Sequence, residues 1–150
     1  MNKQAFKGGI DLHQDSALHL RGIDNYKKVE SIHPKKVYIP VQQHIGEPAE
    51  VMVSVGEDVF LGQTIAKMDE GLGANVHASI SGTIIEIKKI DQGQDNEITC
   101  VVIENDFREQ PREIHHETID DLTSEMIVER VEAAGVVGLG GATFPSHVKL

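Results

Sequence analysis

Hydrophobic and polar positions divide the chain into stretches of different period. Residues 1–35, most of them in "FKGGIDLHQDSALHLRGIDNYKK", mix Gly, His and Asp with scattered Leu and Ile and hold no period. They predict an extended arm with one short strand. From Lys36 the pattern changes. "KVYIPVQQHIG" reads as a strand broken by Pro40. "AEVMVSVGEDVFLGQTIAKMD" alternates, with Val51, Val53 and Val55 on one face and Met52 and Ser54 on the other. Gly56-Glu57-Asp58 predicts a turn, and Gly62 a second turn or a bulge. "ANVHASISGTIIEIKKI" repeats the grammar: strand over 76–79, turn at Ser81-Gly82, strand over 83–90. "DQGQDN" is a turn signal, and "EITCVVIEND" another strand. A strand–glycine turn–strand phrase used twice predicts a quasi-twofold repeat inside one small sandwich.

Residues 105–120 are polar, contain Pro111 and read as a linker. In "LTSEMIVERVEAAG", Ile127, Val131 and Ala134 fall at i, i+4 and i+7, the stripe of an amphipathic helix. Thr123 can cap its start, and Gly135 can take the left-handed position after its end. The expected organisation is an arm (1–35), an all-β module (36–104), a linker (105–120), then a helix and a glycine-rich loop (121–150).

Composition supports the β reading. Of 150 residues 39% are hydrophobic, but only 4% are aromatic and there is no Trp, so the core must rest on Val, Ile, Leu and Ala. A formal net charge of −10 argues against nucleic acid as a partner, because phosphate neutralisation needs a basic surface. It also disfavours docking on anionic lipid. No apolar run approaches membrane-spanning length, and "MNKQAFKGGI" is too short and polar for a signal peptide, so a cytoplasmic location without direct membrane insertion is expected. Cys100 is the only cysteine, which rules out a disulfide framework or a four-cysteine iron–sulfur site within these residues.

Candidate chemistry is thin until the end of the chain. Cys100 lies in a strand run and reads as a small core residue. Of eight histidines, His44 in "QQHIG" and His77 at a strand start are candidates for a phosphate-relay pair only if they face one another; otherwise they are structural. His115-His116, in the linker, read as solvated rather than as metal ligands. No metal site is expected. The closing "GVVGLGGATFPSHVKL" is different. Glycines let backbone N–H groups approach and cradle a phosphate or a flat ring, and Lys149 can add charge to such a site.

Two resemblances follow from these phrases. "VSVGEDVFLGQTIAKMDEGLGANVHASISGTIIEI" resembles the biotinyl/lipoyl domains, which implies a barrel-sandwich hybrid. A carrier of that family needs a lysine at the hairpin tip. Aligned on Ala78 or on Gly62, the tip falls at Gly71–Gly73, where there is none, and Lys67 lies too early. The module therefore reads as a scaffold or docking domain rather than as a swinging arm. "GLGGATFPSHVKL" resembles the flavin loop of NADH-binding respiratory subunits. Together with "FKGGIDLH" and "VYIPVQQHIGEPAEVMVSVGEDVFLGQTIA" it resembles the N-terminal region of the RnfC family of the Rnf electron-transport complex, which includes a proline-reductase-associated electron-transfer relative.

That second resemblance implies an N-terminal piece of a longer electron-transfer subunit. FMN, NADH and two 4Fe–4S clusters would belong to the parent, and other subunits of an electron-transport complex would be its partners, holding it peripherally at the cytoplasmic face of a membrane. No cofactor is expected in these 150 residues alone, and they should catalyse nothing. The helix and loop would open an α/β domain lying beyond them. The implied cofactor-binding set is Gly138, Gly140, Gly141, Ala142, Phe144 and Lys149. A non-catalytic interaction domain of a soluble electron-transfer protein is the alternative. Two positions depart from the respiratory flavin pattern: Leu139 stands in place of Arg, and Thr143 in place of a Gly suited to positive φ.

Overall fold

A computed structural model describes residues 31–91, 93, 97–113, 122–140 and 142–150. Most of the expected arm, the second part of the expected linker (114–120) with His115-His116, and Gly141 lie outside the described residues.

The fold is mainly β, as the alternation predicts. Two sheets form among the described residues. One has the order β1-β7-β6-β3, from Lys36–Pro40, Glu97–Asn105, Gly82–Asp91 and Asp58–Val59. The other has the order β2-β4-β5, from Glu50–Val51, Thr64–Lys67 and Val76–His77. Both halves of the repeated phrase send strands into both sheets. All ladders are antiparallel. Pro40 ends β1, which lies at a sheet edge opposite Cys100, where a missing donor is tolerated.

β7 is the centre of the larger sheet. Its run "CVVI" is buried on both faces. Val101 and Ile103 face the core with Ile39, Val59, Ile65 and Ile84. On the other face, Cys100 lies opposite Lys88 and Val102 opposite Glu86, and the Lys88 ammonium sits 5.1 Å from the Tyr38 ring centre. Burial pushes the Cys100 thiol above its ordinary range, with Lys88 opposing. The thiol is a packed small residue, as expected.

One run departs from prediction. The alternation from Val51 stops at Val53: Val53 is buried, but Val55 is 61% exposed. The chain turns sooner than the glycine suggests. The Ser54 N–H donates to the Glu57 carboxylate at 3.0 Å, and Glu57 N–H returns to the Ser54 carbonyl at 3.1 Å. These bonds place Val55 at the turn's apex, where its branched side chain has nothing to pack on.

The segment after β7 is tied down at its start. Ser81 Oγ donates to Asp106 Oδ1 at 2.7 Å and accepts from Gln110 N–H at 3.1 Å. Leu61 then exchanges backbone hydrogen bonds with Gln110 and Arg112, both at 2.8 Å. The helix α1, Ser124–Ala133, begins with Thr123 accepting from Met126 N–H at 3.3 Å, as predicted. It ends with Gly135 N–H on the Glu132 carbonyl and Val136 N–H on that of Val131, Gly135 standing at φ +63°. This is the paired closure that a left-handed glycine permits. The predicted stripe is not buried: Val131 is half-covered, while Ile127 and Ala134 are exposed.

Ile103 is fully buried between two neighbouring strands. Ile103→Ala should cost about 2–5 kcal/mol of unfolding free energy, read by urea denaturation. Val55→Ala should cost less than about 0.5 kcal/mol.

Candidate functional site

The hairpin tip between β4 and β5 is where a carrier would bear its lysine. Here Lys67 closes β4 and its ammonium pairs with Asp69 at 2.9 Å, while the tip itself is Gly71-Leu72-Gly73. The tip is partly covered. The loop of residues 42–47 lies on it, and Glu47 N–H donates to the Leu72 carbonyl at 3.0 Å. Gly46 stands at φ +105°, and a Cβ there would overlap the Leu72 carbonyl oxygen. Gln42 Nε2 closes the same loop on the Gly46 carbonyl at 2.6 Å. Below it Gly73 is buried, and a Cβ there would come 2.6 Å from Met68 Sδ and 2.9 Å from His44 Cε1. The cap thus covers Leu72 and Gly73, while Gly71 stays exposed at the tip.

This capped tip carries the glycine loop. Ile45 N–H donates to the Ala142 carbonyl at 3.1 Å. The loop is the apex of a short hairpin: Val137 bridges Pro145, Gly138 N–H reaches the Phe144 carbonyl at 2.9 Å, and Ser146 N–H reaches that of Val136 at 2.8 Å. A 3-10 turn, Ser146–Lys149, follows. Thr143 stands at φ +49°, with its hydroxyl donating to the Ala142 carbonyl at 2.7 Å. The position has the left-handed backbone for which glycine is suited, and a β-branched residue there stores roughly 1–3 kcal/mol of strain. The Lys149 ammonium lies 4.9 Å from the Phe144 ring centre. A Cβ at Gly140 would meet open space, and the atom nearest one at Gly138 would be 3.8 Å away. Neither position has the positive φ or the close approach that would require glycine. Leu139 is fully exposed.

The expected set therefore falls in one hairpin, with Gly138 bonded to Phe144 and Lys149 over the same ring. Gly141 is outside the described residues. Sequence reasoning missed the seat itself: Gln42, Ile45, Gly46 and Leu72. The signal was present in "QQHIG", a glycine after a buried histidine with a carboxamide four residues before it.

A pocket of about 210 Å³ opens beside the seat, walled by Gln43, His44, Asn75, His77, Gly135 and Val137 among others. His44 and His77, far apart in sequence, line it together. His77 Nε2 donates to the Ala133 carbonyl at 3.1 Å, and Asn75 Nδ2 donates to the same oxygen at 3.4 Å. These bonds hold the C-terminal end of α1 on β5. Burial holds the His77 imidazole below its ordinary 6.5, with the bond to Ala133 opposing and the charge of Arg112 reinforcing. His44 is 8% exposed; its Nδ1 faces the Ile45 carbonyl at 3.3 Å, and its buried Nε2 has no partner.

The family model described as the RnfC barrel sandwich hybrid domain matches residues 4–108. The chain belongs to that family. RnfC-type relatives extend the match into the helix and loop. The C subunit of the Na(+)-translocating ferredoxin:NAD(+) oxidoreductase complex of Acetobacterium woodii is 40% identical over 119 residues, 78% of this chain and 27% of that protein. The C subunit of the proton-translocating ferredoxin:NAD(+) oxidoreductase complex of Clostridium ljungdahlii is 40% identical over 119 residues, 78% of this chain and 26% of that protein. The C subunit of the ion-translocating oxidoreductase complex of Pasteurella multocida is 37% identical over 151 residues, 97% of this chain and 17% of that protein. The chain thus spans about a quarter or less of the length of these RnfC relatives. Among the described residues, no helix is long and apolar enough to cross a membrane.

The His77 shift fixes a pH dependence. Its folded value lies below the unfolded one, so between the two the unfolded chain binds more protons and stability rises with pH. Its contribution is fully present above about pH 6.5 and is lost as pH falls below that value. Urea midpoints measured from pH 7.5 to 5.5 should decline in the wild type. The decline should be shallower in His77→Gln, whose carboxamide can still donate to Ala133 without titrating.

Proposed function

We propose that this chain is the N-terminal module of an Rnf-type electron-transport subunit of the RnfC family. On this reading the β-sandwich is a scaffold without catalysis of its own, and it holds one wall of an FMN site. That wall is made by Gly138, Gly140, Gly141, Ala142, Phe144 and Lys149. The observation that carries the reading is the seated glycine hairpin. Its backbone is held through Ala142, while Gly140 opens to empty space and Gly138 meets nothing closer than the Phe144 carbonyl oxygen at 3.8 Å.

The residues fit the phosphate end of such a cofactor. At Gly138 and Gly140 the chain's own packing does not require glycine, which leaves room for close approach by something else. Thr143 already takes the left-handed backbone, so its substitution for glycine leaves the turn intact. Lys149, exposed and adjacent, brings a cation. Bound FMN would supply the exchange between two-electron and one-electron carriers. This chain's part is to bind and orient it. NADH, the 4Fe–4S clusters and the rest of the flavin site belong to sequence that the longer relatives possess beyond this span, since Cys100 alone cannot hold a cluster. The partners are the other subunits of the complex, which keep the protein at the cytoplasmic face of the membrane.

Titration of FMN, followed by quenching of its fluorescence, tests this. A form extended to the length of the relatives should bind one FMN. Lys149→Ala should weaken that binding about tenfold, the loss of one charge-assisted contact. The 150-residue chain alone should bind too weakly to saturate. Absence of binding to the extended form, or an unchanged affinity in Lys149→Ala, would remove the glycine hairpin from the site.

A further inference from the structure

The pocket beside the glycine hairpin contains an arrangement that the flavin reading does not use. His44 and His77 wall one cavity of about 210 Å³, and each imidazole has one ring nitrogen committed to a backbone carbonyl. A carbonyl only accepts, so these contacts set the tautomers. His77 carries its proton on Nε2, facing Ala133, and His44 carries its proton on Nδ1, facing Ile45. In the neutral rings this leaves His77 Nδ1 and His44 Nε2 as bare lone pairs. The His44 nitrogen is, among the described residues, the buried side-chain polar atom without a partner.

Anchoring one imidazole N–H on a backbone carbonyl is how proteins orient a histidine for a metal. Gln43 adds a further oxygen. Its carboxamide nitrogen donates to the Pro40 carbonyl at 3.1 Å, so Oε1 is the end left for a ligand. The electrostatics choose the sign of the guest. Among the described residues, no lysine, arginine or carboxylate lines the pocket. Arg112 and Arg130 line a separate cleft that shares only His77 with it; the Arg112 charge reaches His77 and works against a cation, so the sign rests on the pocket's own lining and the helix end. The pocket sits at the carboxyl end of α1, where the helix dipole is negative and disfavours an anion. A phosphate relay through these two histidines therefore has the wrong field.

We infer that the His44–His77 pocket is a binding site for a late first-row divalent cation, held by His44 Nε2, His77 Nδ1 and the Gln43 carboxamide oxygen, with solvent completing the shell. Imidazole and carboxamide donors without carboxylates suit Zn²⁺ or Ni²⁺ rather than Mg²⁺ or Ca²⁺. Among the described residues no cluster of three or more His, Cys, Asp or Glu forms a metal site, so this is a two-histidine site of modest affinity. Because His44 Nε2 is enclosed, binding needs the His44 ring to turn about its soft final torsion, exchanging its 3.3 Å contact with the Ile45 carbonyl for the ion. The site would pin the loop of residues 42–47 to β5 beside the glycine hairpin.

Zn²⁺ titrated into the 150-residue chain, with long-range ¹H–¹⁵N spectra of the imidazoles, decides the matter. Without metal, the spectra should show the Nδ1–H tautomer for His44 and the Nε2–H tautomer for His77. With Zn²⁺, both rings should shift together and saturate at one ion per chain. His77→Gln, which keeps the bond to Ala133, should lower the affinity by about tenfold or more. His44→Gln gives a second loss at the same site, with circular dichroism confirming that each variant is folded. The inference is overturned if no ion binds at millimolar Zn²⁺. It is equally overturned if His77→Gln binds as tightly as wild type, or if only the other histidines shift.

Discussion

The close approach of Gly46 to the Leu72 carbonyl is the constraint on which the functional end of the molecule depends. No side chain fits between them, and φ at Gly46 lies where only glycine is at ease. That contact lets Glu47 bond to Leu72, which lays the loop of residues 42–47 over the β4–β5 tip. The loop in turn offers the Ile45 N–H to Ala142. A tip that in a carrier swings freely is here a fixed platform with a glycine hairpin resting on it.

The core sets the platform's position but not its chemistry. β7, buried on both faces, fixes the larger sheet, and β4 and β5 project from the smaller one toward the seat. Helix α1 contributes through its last turn. The Ala133 carbonyl takes two side-chain donors from the β5 region, Asn75 and His77, and Gly135 then redirects the chain into the hairpin. A helix anchored by its end rather than by its stripe is consistent with Ile127 and Ala134 staying exposed while Val131 is only half-covered.

Features governed by local rules were legible in the sequence. The Thr123 cap, the Gly135 closure and the strands expected over 83–90 and in "EITCVVIEND" follow from neighbouring residues alone, while the missing tip lysine follows from the resemblance to the lipoyl domains. The phrases "QQHIG" and "GLGGATFP" pointed correctly to the RnfC family. What escaped was set by contacts between distant segments. Val55 kept the alternation of its run, yet the Ser54–Glu57 bonds turned the chain beneath it. The start of the polar stretch after β7 looked like free linker, but Ser81, far back in sequence, holds it. Gly46 read as an ordinary loop glycine because its reason, Leu72, lies on another hairpin. Similarly, nothing in the spacing of His44 and His77 announces that they share a cavity; the fold of β5 against the loop of residues 42–47 brings them there.

The platform itself is tested most directly by amide hydrogen exchange on Gly46→Ala. The substitution forces a Cβ toward Leu72 and penalises the backbone of the cap without touching the core. Exchange at Ile45 and at Gly138, whose partners are Ala142 and Phe144, should accelerate about tenfold or more, as a local opening that leaves the amides of Val101, Val102 and Ile103 protected. Unchanged exchange at Gly138 would show that the glycine hairpin stands without the capped tip and would contradict the account.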